Sequence, residues 1–302
     1  MAPQTSFALI TGCSSGIGKE LAKEFASKGV TVLATARRVE SLAELTSAYE
    51  NIEAFPLELS DEHSRRALKD KVLKRTGGHL DYLVNNAGTH YAALAVDIEV
   101  SEVAHLFNVN VFAVMDLCQL FIPLLRESNR GKIVQIGSVT RNVPLIWQSP
   151  YNASKAALSQ YSRTMRLELM PLGIEVIEIV TGYVRSNILR DGYVVPEDSP
   201  YLSLLPFMEQ IKTHGRDQAM EGRTYAKIVV AKVMSKSAST EIWEGGQAWA
   251  LYYLTLLTPQ PLLVSISHGY VRPSLANLSQ RWFLFWYFKL YLVKGGDQPV
   301  VK

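Results

Sequence analysis

A strand-forming run ends directly in a glycine-rich turn that opens a helix, and no other feature constrains the fold of this chain as tightly. Phe7–Ile10 is apolar and β-prone, and Thr11-Gly12-Cys13-Ser14-Ser15-Gly16-Ile17-Gly18 follows without a gap. Gly12 permits a tight turn, Gly16 lets backbone approach a diphosphate, and Gly18 allows a helix to pack closely on a strand. The helix N-terminus offers oriented N–H groups to an anion, with Ser14, Ser15 and Ile17 completing the turn. A glycine trio alone is weak evidence, but a strand before it and a helix after it is the context that a dinucleotide site requires.

The alternation continues along the chain. Thr31–Thr35, Ile52–Leu57, Tyr82–Val84, Lys132–Ile136 and Ile174–Val180 read as strands rich in Val, Ile and Leu. Gly18–Lys28, Val39–Tyr49, Glu62–Arg75, Val103–Arg126 and Tyr151–Met170 read as helices between them. This pattern predicts an α/β fold, a single Rossmann-type doubly wound parallel sheet with helices on both faces. Two regions break it. Residues 183–215 hold Gly192, Pro196, Pro200 and Pro206, and read as a lid insertion after a strand's carboxyl end. From residue 249 an apolar, aromatic-rich extension begins, so the expected division is 1–248 for the catalytic domain and 249–302 for the extension.

Composition narrows the function. A 48% apolar content fills a sizeable core, and a net charge of +3 gives no reason to expect a nucleic-acid partner. Cys13 and Cys118 are too few for a disulfide framework, which suits a reducing compartment. No secretory signal precedes Ser6, so the catalytic body is expected to be cytoplasmic. The second strand ends in Ala36-Arg37-Arg38, where an acidic residue would bind the adenosine ribose hydroxyls of NAD. Two forked guanidinium groups instead suit a 2′-phosphate, which favours NADP(H).

Tyr151 and Lys155 lie one turn apart on one face of a helix. A tyrosine with a pKa near its usual ~10 is a poor proton-transfer group at neutral pH, and a neighbouring ammonium favours its phenolate. Ser138 ends the fifth strand at the sheet's carboxyl edge, where ligands bind in such folds. Singly these residues are ambiguous; in this order, behind a phosphate turn, they point to acid–base chemistry.

The combination resembles the short-chain dehydrogenase/reductase family, in the branch with TGxxxGxG and YxxxK motifs, over about residues 6–245. Thr11 to Gly18 matches its cofactor turn, Asn85-Asn86-Ala87-Gly88 its NNAG segment, and Asn110, Ser138, Tyr151 and Lys155 its catalytic tetrad. The resemblance implies that Tyr151 exchanges the proton of the carbonyl or alcohol oxygen while Ser138 hydrogen-bonds that oxygen. It further implies that Lys155 binds the nicotinamide ribose and that Asn110 positions a water. It also places Asn86, Ala87, Gly88, Val184 and Ser186 at the cofactor. Glu58, followed by Leu59, stands where an aspartate commonly meets adenine, and Thr181-Gly182 replaces the usual Pro-Gly. No metal is expected, because His63, His79, His90, His105, His214 and His268 show no ligand spacing and read as surface or packing residues.

The Tyr151–Ala157 run, Thr181-Gly182, Tyr225-Ala226-Lys227 and the apolar C-terminus are similar to fungal NADPH-dependent 1-acyldihydroxyacetone-phosphate reductases, a group that shades into reductases of fungal secondary metabolism. The expected substrate is a lipophilic ketone, from a lipid or a polyketide or terpenoid. An NADP-dependent alcohol dehydrogenase and a non-catalytic NADP(H)-binding regulator remain alternatives. Trp249–Ile266 carries no charge but is divided by Pro259 and Pro261. Leu278–Val293 mixes seven aromatics with Arg281 and Lys289, as interface-lying segments do. Peripheral membrane contact, at the ER or lipid-droplet surface, ranks just above packing on the body. The resemblance implies a homodimer or homotetramer.

Overall fold

The computed structural model describes residues 5–186 and 217–259, with 188, 195–200, 202 and 205 between them. Among these, β1 (Phe7–Ile10), β2 (Thr31–Ala36), β3 (Ile52–Pro56), β4 (Tyr82–Asn85), β5 (Lys132–Ile136), β6 (Glu175–Thr181) and β7 (Glu241–Glu244) form one parallel sheet. Their order is β3-β2-β1-β4-β5-β6-β7. The chain winds outward in both directions from the β1–β4 junction, and that reversal opens a crevice at the strands' carboxyl ends. Every residue of β1, β2, β4 and β5 is buried, which explains runs without polar alternation.

Helices cover both faces, as the sequence predicts. On one side α1 (Gly16–Ser27) and α7 (Gly222–Val233) bury Leu21, Phe25, Tyr225, Val229 and Val233 against the sheet. The other side carries α3 (Glu62–Thr76), α5 (Ala113–Arg126) and α6 (Ser149–Leu169), with Leu68, Val72, Leu117, Phe121, Leu158 and Met165 inside. Among the described residues the other α-helices are α2 (Ala43–Ala48), α4 (Val100–Phe107) and α8 (Ala248–Leu257). Val100–Arg126 is long and apolar enough to cross a bilayer, yet Val114, Leu117, Phe121 and Leu125 line the sheet core.

The structure departs from the sequence expectations in identifiable places. Val39–Tyr49 opens as a 3-10 turn, Val39–Leu42, before α2. The helix expected over Val103–Arg126 starts at Val100 and is interrupted by a π turn, Asn108–Phe112. The strand β7 and the helix α7 were not foreseen. Tyr183 and Val184 bridge to Gly246 and Met220, and most of the rest of the insertion lies outside the described residues. The extension begins as α8, whose Tyr252 packs on Trp243 of β7 at 5.1 Å between ring centroids. Trp249, Tyr253, Leu256 and Leu257 are exposed, and Leu278–Val293 lies outside the described residues.

Two charged side chains tie the sheet's amino edge. Asp81 Oδ2 accepts from Phe7 N at 2.8 Å and Ser6 Oγ at 2.9 Å, and Oδ1 accepts from Ser128 Oγ. Lys132 Nζ donates to Val233 O and Ser235 O, both at 3.0 Å, capping the end of α7, and meets Glu175 at 3.3 Å.

Candidate active site

The glycine turn is clamped by the segment after β4. Asn86 Nδ2 donates to Thr11 O at 2.8 Å and Gly12 O at 3.2 Å, while Thr11 Oγ1 accepts from Asn86 N and Ala87 N. Gly12 has φ 73° and Gly16 φ 58°, where a side chain is strained, and a Cβ on Gly12 would meet Ala87 Cβ at 2.9 Å. A Cβ on Gly18 would overlap Gly12 O. Ser15 precedes α1 in extended conformation without a side-chain cap, so the first N–H groups of α1 are left for an anion. Ser186 lines an open cleft of about 460 Å³ with Gly16, Arg185, Glu221 and Arg223, and Val184 packs into the core behind it. A cradle that a Cβ would fill beside a bare helix N-terminus fits a dinucleotide diphosphate.

Arg37 and Arg38 follow β2 and are exposed, whereas Ala36 is buried. Glu58 Oε1 accepts from Ser60 N and Ser60 Oγ, so its carboxylate braces its own turn. The Leu59 side chain is buried in the core.

Ser138, Tyr151, Lys155 and Asn110 come from three separate elements and converge at the carboxyl edge. Ser138 lies two residues beyond β5 and caps a 3-10 turn, Val139–Arg141, its Oγ accepting from Thr140 N at 3.2 Å. Tyr151 and Lys155 occupy the buried face of α6, with Lys155 Nζ 5.8 Å from the Tyr151 ring centroid. Burial pushes the Tyr151 phenol up to about 12, and its hydrogen bond with Ser138 opposes this. Burial also brings the Lys155 ammonium down to about 8, against the attraction of Glu178. Lys155 Nζ donates to Ile136 O at 3.0 Å. Asn110, 1% exposed, sits in the π turn, where Nδ2 donates to Thr89 O at 2.9 Å and Ser154 Oγ at 3.2 Å, and Oδ1 accepts from Thr89 N. The π turn aims this side chain out of the helical ladder, a device common at functional sites. Gly88 lies against it; a Cβ there would meet Asn110 Oδ1 at 3.1 Å.

Sequence reasoning overlooked several neighbours. His90 packs its ring on Tyr151 at 4.7 Å and its Nε2 bonds Gln148 Oε1 at 2.7 Å, so its packing partner is a site residue. Arg141 forms a buried ion pair with Glu178, 37 residues away, and no local pattern announces it. Thr181, in the usual proline position, shares a 2.7 Å hydroxyl bond with Tyr225.

Residues 6–192 match the family model described as short chain dehydrogenase. The chain is 40% identical over 267 residues to short-chain dehydrogenase srdE of Neurospora crassa, covering 86% of this chain and 90% of that protein. It is 43% identical over 202 residues to the NADPH-dependent 1-acyldihydroxyacetone phosphate reductase of Schizosaccharomyces pombe, covering 65% and 67%. A solved short-chain dehydrogenase from Streptomyces avermitilis superposes with a TM-score of 0.76 at 28% identity, over 91% of this chain and 100% of that one. With the glycine cradle, the parallel sheet and these relatives in agreement, the chain belongs to the short-chain dehydrogenase family of oxidoreductases, which bind a nicotinamide dinucleotide and a small-molecule substrate.

Proposed function

We propose that this protein is an NADPH-dependent carbonyl reductase that converts a lipophilic ketone to a secondary alcohol. The observation that carries the reading is the convergence of Ser138, Tyr151 and Lys155 at the crevice beside the glycine cradle. Bound NADPH supplies the hydride. Tyr151, a buried phenol, donates its proton to the carbonyl oxygen as the hydride arrives. The Ser138 hydroxyl hydrogen-bonds that oxygen as negative charge develops. Lys155 holds the nicotinamide ribose, and Asn110 orders a water behind it. Arg37 and Arg38 are exposed just beyond β2, where Ala36 ends the strand, which supports a 2′-phosphate as their partner. The S. pombe relative is NADPH-dependent and acts on an acylated ketone phosphate by its name, which supports both cofactor and substrate class.

The aromatic, charge-free α8 supports peripheral contact of the extension with a membrane surface facing the cytoplasm, and a homodimer or homotetramer completes the reading. The test is NADPH oxidation with 1-palmitoyldihydroxyacetone phosphate and a panel of aromatic and polyketide ketones. Tyr151→Phe lowers turnover by about 10²–10⁴-fold with NADPH binding unchanged, and retained turnover overturns the assignment. Arg37→Ala with Arg38→Ala weakens NADPH by roughly tenfold or more and leaves NADH unaffected; equal loss for both refutes the phosphate role.

A further inference from the structure

Behind the candidate tetrad lies a buried charge pair that the proposed chemistry does not use. Glu178 on β6 has no exposed surface, and the Arg141 side chain is 1% exposed. Arg141 Nη1 pairs with Glu178 Oε2 and donates to Ser159 Oγ at 3.0 Å, while Nη2 reaches Glu241 Oε2 on β7 at 2.6 Å. Ser159 Oγ in turn donates to Glu178 Oε2 at 3.0 Å. The other oxygen, Glu178 Oε1, has no hydrogen-bond partner. It lies over Gly137, where a Cβ would be 2.6 Å away.

The position of each partner matters. Arg141 closes the 3-10 turn that Ser138 caps. Gly137 separates Ser138 from Ile136, whose carbonyl receives Lys155 Nζ. Tyr151, Lys155 and Ser159 follow at successive i+4 steps on the buried face of α6, so the serine that bonds Glu178 is one turn from Lys155. A buried ion pair is a weak source of stability, because desolvation offsets its attraction, so stability alone does not account for this one.

We infer that the Arg141–Glu178 pair is a positioning device, clamping the Ser138 turn to β6 and setting a fixed carboxylate one helical turn behind Lys155. The inference rests on the acid–base reading of Tyr151 and Lys155. Burial pushes the Glu178 carboxyl up, and Arg141 after β5, Glu241 on β7 and Arg163 on α6 are the charged groups that act on it; Tyr151, with His90 against its ring, is the titratable group one turn from Lys155 on α6. The charge of Glu178 acts in turn on Lys155 and favours its ammonium, against burial.

Lysine ¹³Cε NMR over a pH titration of the full chain tests this, with the Lys155 resonance identified by its absence in Lys155→Met. Glu178→Gln keeps the shape and removes the charge, so the Lys155 midpoint falls by about one pH unit. A carboxylate that only filled space would leave the midpoint unmoved. Loosened packing would admit water and raise it; either result overturns the inference. If Glu178→Gln does not fold, the double variant Arg141→Met with Glu178→Met removes both buried charges together and gives a fall in the same direction, and an unmoved or raised midpoint overturns it. Retained turnover in Tyr151→Phe defeats the acid–base reading alone. An inactive Tyr151→Phe with an unmoved Lys155 midpoint defeats this inference alone.

Discussion

The two edges of the sheet treat buried polarity in opposite ways. At the amino edge Asp81 and Lys132 have both ends of their charge answered by backbone and hydroxyl groups. Toward the carboxyl edge Thr35 Oγ1, Asn85 Oδ1, Gln135 Oε1, Glu178 Oε1 and Arg141 Nε are buried without a partner. Buried polar groups are nearly always paired, so a row of unmet atoms along one edge needs a reason. At the amino edge one such atom stands, Thr76 Oγ1 at the end of α3. The carboxyl edge keeps more unmet polar capacity, and it does so beside the candidate site.

Substitutions at the two edges separate these roles. The largest effect is expected at Gly137→Ala, whose Cβ would lie 2.6 Å from Glu178 Oε1 and 3.1 Å from Ile179 O. Displacing the strand end that carries Ser138 lowers kcat by about 100-fold, while urea unfolding shows a cost of roughly 1–3 kcal/mol. Asp81→Ala reverses the balance. It strands Phe7 N–H and two serine hydroxyls and costs about 2–3 kcal/mol in urea unfolding, with kcat unchanged. Should Asp81→Ala depress kcat as far as Gly137→Ala, the contrast between the edges fails.

The smallest effect is a slope with pH. Lys155 titrates at about 8 in the fold against an ordinary 10.5, so between these values the unfolded chain holds more protons and stability rises with pH. Tyr151, raised from 10.0 to about 12, works in the opposite sense only above about 10. Urea midpoints of the wild type measured from about pH 8 to 10 should therefore climb relative to those of Lys155→Met. Parallel curves would show that Lys155 carries no such burden.

What the sequence made legible follows the same division. The glycine turn, the central strands and the Tyr151–Lys155 stripe are local patterns, and each holds in the structure with ends displaced by a residue or two. The strand β7 escaped because Glu241-Ile242-Trp243-Glu244 is short, ends in charges and sits at the sheet's rim. The π turn around Asn110 escaped because its apolar periodicity reads as unbroken helix. Arg141 with Glu178, and His90 with Tyr151, are long-range pairs whose partners are chosen by topology rather than by spacing.

One consequence concerns where the chain can be cut. Trp243 has the Arg141 guanidinium 5.3 Å from its ring centroid and meets Tyr252 of α8 edge-on at 5.1 Å. Val139, Val180 and Ala248 close the same small cluster. A truncation before Trp249 would look innocent on a sequence plot, yet it would unroof the indole that shields Arg141. The apolar extension thus starts as masonry of the wall behind the candidate site, and trimming it to improve solubility would open that wall from behind.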